Sequence, residues 1–537
     1  MKNLLKLLIV GLLCLIPSIG WSALPATGVI EIRYSATAGN VNGCGFNAAR
    51  SGTDYTLQDA AQLTNTDGSG TGTTDFTSLG STFTDAMKGN YLHITASTGL
   101  TIGWYEIVSV TSATVVVLDR TPGTGTATTF YVGGACSLNS TLDDDLFEIG
   151  IAGNVYYIKY NASSYTLGEA VTIAATGGAQ NPIKIIGYNS TRTDAPTGAT
   201  MPTINSAANG LSTTANWELY NFIITGTAST VLTTGTDAKI INVKAINTNT
   251  IAARTALSLG GDAIAIGVEA ISYRGNAISA SGRAFIYGCY LHDSDIGYLN
   301  SSTVSSEVSN TIIAGNVTAA IRFSGVIVNG VTVSNTTLYG SENTTGIGLS
   351  ITASGASNIR LINSIIYGFV TGVSHVDSSQ VESYDNYNAY NNNDTDVSGW
   401  TKGANDITTA PGFTSVAQLT GTTATTSGSV LTQSGGDFST VTDNVDFLYL
   451  VNGTGITAGK YLITSHTATT VTLDIAPGTD ATADKIWQIT TGHNFAVGVN
   501  MKAYGFPGAF PAGLTTGYMD IGAVQRVEPA GGTTVRR

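Results

Sequence analysis

One Asn or Gly recurs through the middle of the chain between two apolar clusters, and this repeat limits the possible folds more than any other feature. The anchors are Asn221, Asn242, Gly267, Gly288, Asn310, Asn335, Asn363 and Asn386, spaced by 21, 25, 21, 22, 25, 28 and 23 residues. Repeats of 20–30 residues indicate a solenoid. Two positions before the anchors stand Leu219, Ile240, Ala265, Ile286, Val308, Val333, Leu361 and Tyr384. Three positions after them come Ile224, Ala245, Ala270, Leu291, Ile313, Leu338, Ile366 and Ala389. Both sets read as inward-facing columns. A tight turn that needs positive φ takes Gly freely and tolerates Asn better than other side chains. Stacked Asn amides can also satisfy one another from coil to coil. An antiparallel sandwich with ordinary Asn/Gly turns does not explain why the flanking columns keep their offset. A repeat of about 22 residues holds three short strands and three turns, which is one rung of a parallel β-helix.

A second, distant repeat brackets the first. Ala61-Gln62-Leu63-Thr64 returns as Ala417-Gln418-Leu419-Thr420, and Gly103-Trp104-Tyr105-Glu106-Ile107 returns as Gly459-Lys460-Tyr461-Leu462-Ile463 at the same offset. With one residue deleted, Val117-Leu118-Asp119 matches Thr472-Leu473-Asp474 and Pro122-Gly123 matches Pro477-Gly478. Each copy alternates Thr, Val and Tyr with Gly punctuation, the pattern of a small antiparallel β module. The predicted class is all-β, a parallel β-helix with two related modules inserted before and near the end of it.

Only 23 Lys and Arg and 36 Asp and Glu occur in 537 residues, which excludes a coiled coil and a charged disordered tail. The net charge of -13, with no basic cluster, excludes nucleic acid as the expected partner. Lys2 and Lys6 precede the apolar run Leu7–Ile16, and Gly20-Trp21-Ser22 supplies a cleavage signal, so residues 1–22 read as a secretory signal peptide. The run falls short of the ~20 apolar residues a bilayer span needs, and the mature chain is expected to have no span. The expected location is extracellular or at the cell surface. Loss of the signal removes Cys14 and leaves Cys44, Cys136 and Cys289. Cys44 and Cys136 flank the first module in similar Gly contexts, where either a disulfide clamping its neck or two free thiols fits. Cys289 falls in a core column, and no Cys/His spacing suggests zinc.

From about 150 to 400 the chain resembles the right-handed parallel β-helix, or pectate-lyase-like, superfamily, in which the anchor is the turn between the second and third strands of each coil. Tyr384-Asp385-Asn386-Tyr387-Asn388-Ala389-Tyr390, Pro411-Gly412-Phe413 and Asp520-Ile521-Gly522-Ala523-Val524 resemble the closing coils of secreted or virus-associated members. The resulting division is signal peptide 1–22, N-terminal strand or cap 23–59, module 60–133, β-helix 134–414, second module 415–490, final coil 491–527 and tail 528–537.

The resemblance implies that a polysaccharide lies along the first sheet and its flanking loops. With Ile278, Tyr298, Ile321, Ile347 and Val373 inward, the outward column reads Ser279, Leu299, Arg322, Gly348 and Ser374. It holds no carboxylate, whereas glycoside hydrolysis needs two and β-elimination needs a base with charge neutralisation. The strongest catalytic constellation is a loop edge, Arg274, His292, Asp293 and Asp295, with Arg322 one coil on. Arg274 and Asp295 occupy equivalent positions on successive coils and are expected to stack as an ion pair. Lys244 and Glu269 form a second such ladder, and His375 reads as an exposed lone histidine. No cofactor is expected. Asp394-Thr395-Asp396 hints at calcium but lacks the glycine and distal glutamate of an EF-hand loop. The reading that follows is a secreted or surface-exposed β-helix that binds or displays on glycans without cleaving them. Its rivals are a polysaccharide lyase or glycoside hydrolase using the loop edge, and a virion-associated fibre or spike subunit forming a homotrimer.

Overall fold

The structure, a computed structural model, describes residues 29–34, 63–133, 152–173, 176–325, 330–340, 346–353, 358–376, 383–413, 415–457 and 459–494. The signal-peptide stretch, Cys44, Cys136 and the 495–537 end lie outside these residues.

Three parallel sheets of 11, 10 and 10 strands stack rung on rung. One rung shows the logic. The second-sheet strand Lys239–Ile241 turns at Asn242 into the third-sheet strand Lys244–Asn247, and a loop leads to the first-sheet strand Arg254–Leu259. The next strand, Ala263–Ile266, then pairs in parallel on Lys239–Ile241. The columns predicted two before and three after the anchors are buried from Leu219 to Leu361 and from Ile224 to Ile366. Their members pair in register from rung to rung. Each Val, Leu or Ile side chain so buried contributes about 1.5–3 kcal/mol of transfer free energy.

Seven of the anchors have positive φ, from Asn221 at 59° to Asn363 at 53°. The eighth corner is not Asn386. That residue ends a strand, and Tyr387 takes the turn at φ 58°. Strand register explains the slip, because Leu361 pairs with Asp385 and Ile366 with Tyr390. The inward positions of this coil are therefore Asp385 and Tyr390 instead of Tyr384 and Ala389. Amide-to-amide bonding in the ladder is seen between Asn242 Nδ2 and Asn221 Oδ1, at 2.8 Å. Gly267 and Gly288 then interrupt the amide run. The next inward column changes character along the axis, from Phe222, Val243, Val268 and Cys289 to Thr311, Thr336, Ser364 and Asn388. Cys289 is 2% exposed, and burial pushes its thiol up to about 12.

The two modules are closed six-stranded antiparallel barrels, barrel 1 over residues 63–132 and barrel 2 over residues 415–494. Barrel 1 enters between Val29–Ile32 and Val155–Lys159, which pair with each other as the first two strands of the second sheet. The barrel cores match residue for residue: Leu92, Ile94, Tyr105, Ile107 and Leu118 against Leu448, Leu450, Tyr461, Ile463 and Leu473. Tyr105 donates to Thr101 O and Tyr461 to Thr457 O. Asp119 and Asp474 each accept an amide from the neighbouring strand. Barrel 1 also sets Arg120 4.4 Å over Tyr105 and in an ion pair with Asp119; the aligned residue of barrel 2 is the exposed Ile475.

Candidate functional site

The outer face of the third sheet is apolar and aromatic, which is unusual for a surface open to water. Ile246, Ile271 and Val317 pack beneath Phe447, Tyr449 and Leu462 of barrel 2. Further along, Tyr339 and Tyr367 stack at 5.4 Å, and Phe413 meets both edge-on. After the last coil, Ile407 bridges to Ala389 and Phe413 crosses Tyr367 and Tyr339. The chain thus doubles back along the third sheet and seats barrel 2 on earlier coils.

This seat is the predicted catalytic edge. Arg274 does not pair with Asp295. Its Nη1 donates to Lys460 O at 2.6 Å, its Nη2 lies 3.5 Å from Asp474 Oδ2, and its guanidinium rests 5.7 Å from the Tyr461 ring. Arg274 thereby stands against Tyr461 and Asp474 as Arg120 stands against Tyr105 and Asp119. The Tyr449 hydroxyl lies 2.5 Å from Asp293 Oδ1 and 2.7 Å from Gly315 O. Gly315, at φ 64°, leaves room for this approach, since a Cβ there would meet that hydroxyl at 2.6 Å. Tyr273 donates to Asn444 O at 3.1 Å and meets Phe447 edge-on at 5.0 Å.

Lys460, 1% exposed, is the centre of the interface. Its ammonium donates to Asp293 O at 2.5 Å and Ser272 O at 3.4 Å and sits 4.7 Å from the Phe447 ring. Burial pulls it down to about 8, with Asp295 and Asp293 opposing the shift. Burial raises Asp295, partly offset by Lys460 and Arg274. Burial would raise Asp293 as well, but His292, Tyr449 and Lys460 outweigh it and hold the carboxyl low.

His292 is engaged on both sides, Nδ1 to Asp293 Oδ2 at 2.7 Å and Nε2 to Glu269 Oε1 at 3.2 Å, with its ring stacked 4.0 Å from Tyr290. Burial opposes protonation, yet the two carboxylates win and raise the imidazole. An imidazolium with both N–H groups committed has no lone pair with which to take a proton from a substrate. Glu269 also meets Lys244 at 2.7 Å, so the predicted ladder is present. Burial would raise Glu269, but His292 and Lys244 bring it down to about 2.

Arg322 stands apart from this edge, on the outward face of the first sheet. Register there places Leu349, not Ile347, over Ile321, so Ser350 replaces Gly348 in the outward column. The column runs Thr172, Ser212, Thr233, Ser258, Ser279, Leu299, Arg322, Ser350, Ser374 and Ser398. Among the described residues Arg322 has no carboxylate partner, and its buried Nε makes no hydrogen bond. Spacing alone places Ser279, Leu299, Arg322 and Ser374 in this column but not the earlier rungs, which have no anchor to align them.

His375 is buried, not exposed, with its ring 6.0 Å from Trp400. At the last coil Asp385, turned inward by the register slip, accepts from Tyr390 at 2.6 Å and Trp400 at 2.5 Å and also from Asn388. Burial and the nearby Asp406 raise its carboxyl. Asp396 pairs with Lys402 at 2.9 Å. Among the described residues no group of three or more His, Cys, Asp or Glu gathers as metal ligands, and no helix is long and apolar enough to cross a membrane.

No known family profile and no curated protein matches the sequence. Among solved structures the chain is similar to pectate lyase Pel9A, at 12% identity over 70% of this chain and 89% of that one, with a TM-score of 0.37. It is also similar to the PL6 family alginate lyase AlyGC, at 10% identity over 50% of each chain and a TM-score of 0.30. A third similarity is to the Gp54 tailspike of Acinetobacter baumannii bacteriophage AP22, solved with a capsular saccharide, at 10% identity over 81% and 84% of the two chains and a TM-score of 0.21. The fold rests on the continuous parallel register of three sheets. By that register the chain is a parallel β-helix carrying a duplicated barrel whose second copy is seated on the third sheet.

Proposed function

We propose that this protein is a surface-exposed β-helix that binds glycans without cleaving them, using the outward face of the first sheet. The supporting observation is the column from Thr172 to Ser398, in which every position except Leu299 and Arg322 carries a hydroxyl, that of Ser350 alone being buried. Hydroxyls recurring at one strand spacing, ~4.8 Å, both donate to and accept from the hydroxyls of an extended saccharide. Arg322, without a carboxylate partner, supplies a cation for an acidic sugar or a fork of donors for a neutral one. The face has no carboxylate with which to protonate a leaving oxygen. Display outside the cell rests on the Met1–Ser22 sequence.

The competing reading is catalysis by Arg274, His292, Asp293 and Asp295. Against it stand the commitments of Arg274, His292 and Asp293 to Lys460, Asp474, Glu269 and Tyr449 beneath barrel 2. The test combines retention on immobilised acidic and neutral polysaccharides with measurement of new reducing ends and unsaturated products. The expected result is retention without turnover, cut at least about ten-fold by Arg322→Ala, the loss of a charged hydrogen bond. Turnover abolished by Asp295→Ala overturns the proposal.

A further inference from the structure

The asparagine ladder stops where the chain opens a cavity. Asn221 and Asn242 are joined through their amides, but Gly267 follows, and a Cβ built on it would meet nothing within 4 Å. A long loop, residues 189–202, replaces the tight corner of an earlier rung and reaches over this opening. Its base is fixed by Asp194, which accepts the amides of Asn189, Ser190 and Thr191, and by Arg192, which pairs at 2.9 Å with the buried Glu31. Its middle is fixed by Asn242, whose Nδ2 donates to Pro196 O at 3.0 Å. Between the loop and the third sheet lies a cavity of about 320 Å³.

One wall is apolar, formed by Met201 and Ile223; the other carries the Lys244–Glu269 ion pair. Both charged side chains remain about a third exposed, at 30% and 34%, so the pair is open to a ligand. The volume is at the lower end for small-molecule sites, which suits a single ring. The charges cancel, which favours a neutral ligand. A zwitterion would have to break a 2.7 Å ion pair to satisfy its own charges. A vicinal diol keeps the pair intact, one hydroxyl donating to the carboxylate and its neighbour accepting from the ammonium. The apolar wall then meets the C–H face of the ring.

We infer that this cavity is a binding site for one neutral pyranose, separate from the hydroxyl ladder of the first sheet. It is independent of Arg322, which lies on a different sheet, so the two proposals fail separately. The test titrates the full chain with the methyl glycosides of glucose, galactose, mannose and N-acetylglucosamine, with leucine as the zwitterionic probe, by ligand-observed NMR and calorimetry. At least one glycoside is expected to bind saturably while leucine does not. Gly267→Asn tests the site without threatening the fold, since Asn is the ladder residue and accepts a φ of 60°. It is expected to fill the cavity and reduce glycoside affinity at least ten-fold, as is Ala199→Trp on the exposed loop. Glu269→Gln, which removes the charge and keeps the shape, weakens binding, and Arg322→Ala leaves it unchanged. Absence of binding by all four glycosides, binding of leucine in their place, or glycoside affinity unaltered in both filling variants overturns the inference. Polysaccharide retention that depends on Arg322 is untouched by any of these outcomes.

Discussion

Seating barrel 2 on the β-helix has a pH dependence whose sign follows from Lys460. In the docked form burial holds this ammonium at about 8, against an ordinary value of 10.5 once barrel 2 lifts away. Between those values the undocked form carries more protons, so docking strengthens as pH rises through the window. From pH 7 to pH 9 the docked-to-undocked ratio is expected to rise roughly ten-fold, about 1.4 kcal/mol. Asp295, Asp293, Arg274 and Asp474 face the ammonium. Against burial, His292 is raised by Asp293 and Glu269, and both carboxylate partners remain with it on the β-helix when the barrel leaves. The assay is a thiol trap. Leu462→Cys places a cysteine at a position 7% exposed beneath the barrel, and its labelling rate relative to the unfolded chain reports the open fraction. That ratio should fall about ten-fold over the window and stay flat in Lys460→Met, which has no proton to lose. A ratio that is flat or rising in the Lys460 protein would refute the argument that a charged ammonium is being held dry.

Three further outcomes follow from particular corners and rungs. Asn242→Ala puts a β-carbon at φ 52° and removes two side-chain hydrogen bonds, a loss of about 3 kcal/mol in urea unfolding; Asn242→Gly, free of the backbone strain, loses less. Tyr387→Asn replaces a bulky side chain at φ 58° with the residue used at neighbouring corners and is expected to gain about 1 kcal/mol in the same assay. Asp385 is raised by burial and by Asp406, so the folded chain holds extra protons above the ordinary carboxyl value of 3.8. Stability then falls as pH rises from there through the raised value, and unfolding curves of Asp385→Asn should show this slope flattened.

The β-helix was legible because a solenoid writes its geometry into the chain locally. A left-handed corner needs Asn or Gly, and the residues beside it must be apolar on every rung, so seven anchors and their columns emerge from spacing alone. The last corner is ambiguous in the sequence because Asn386 and Tyr387 compete for it, and only pairing with Leu361 and Ile366 decides the register. Gly348 and Ser350 compete for the outward column for the same reason: alternation looks identical two residues away, and only pairing with Arg322 decides between them. The fate of the loop edge was not legible. Arg274 and Lys460 are joined across 186 residues by a contact with no period and no motif. The one available sign was an imbalance, since a third-sheet face bearing Ile246, Ile271, Tyr339 and Tyr367 needs a cover.

The arginine that differs between the barrels makes the two copies unequal as parts. Barrel 1 supplies its own counter-charge to Asp119, so it could be moved to another scaffold as a self-contained unit. Barrel 2 has Ile475 at that position and takes its cation, Arg274, from the β-helix, which ties this copy to one host surface. Exchanging the barrels would therefore leave Arg274 facing a notch already filled by Arg120, and the transplanted copy would be repelled where the resident one is held.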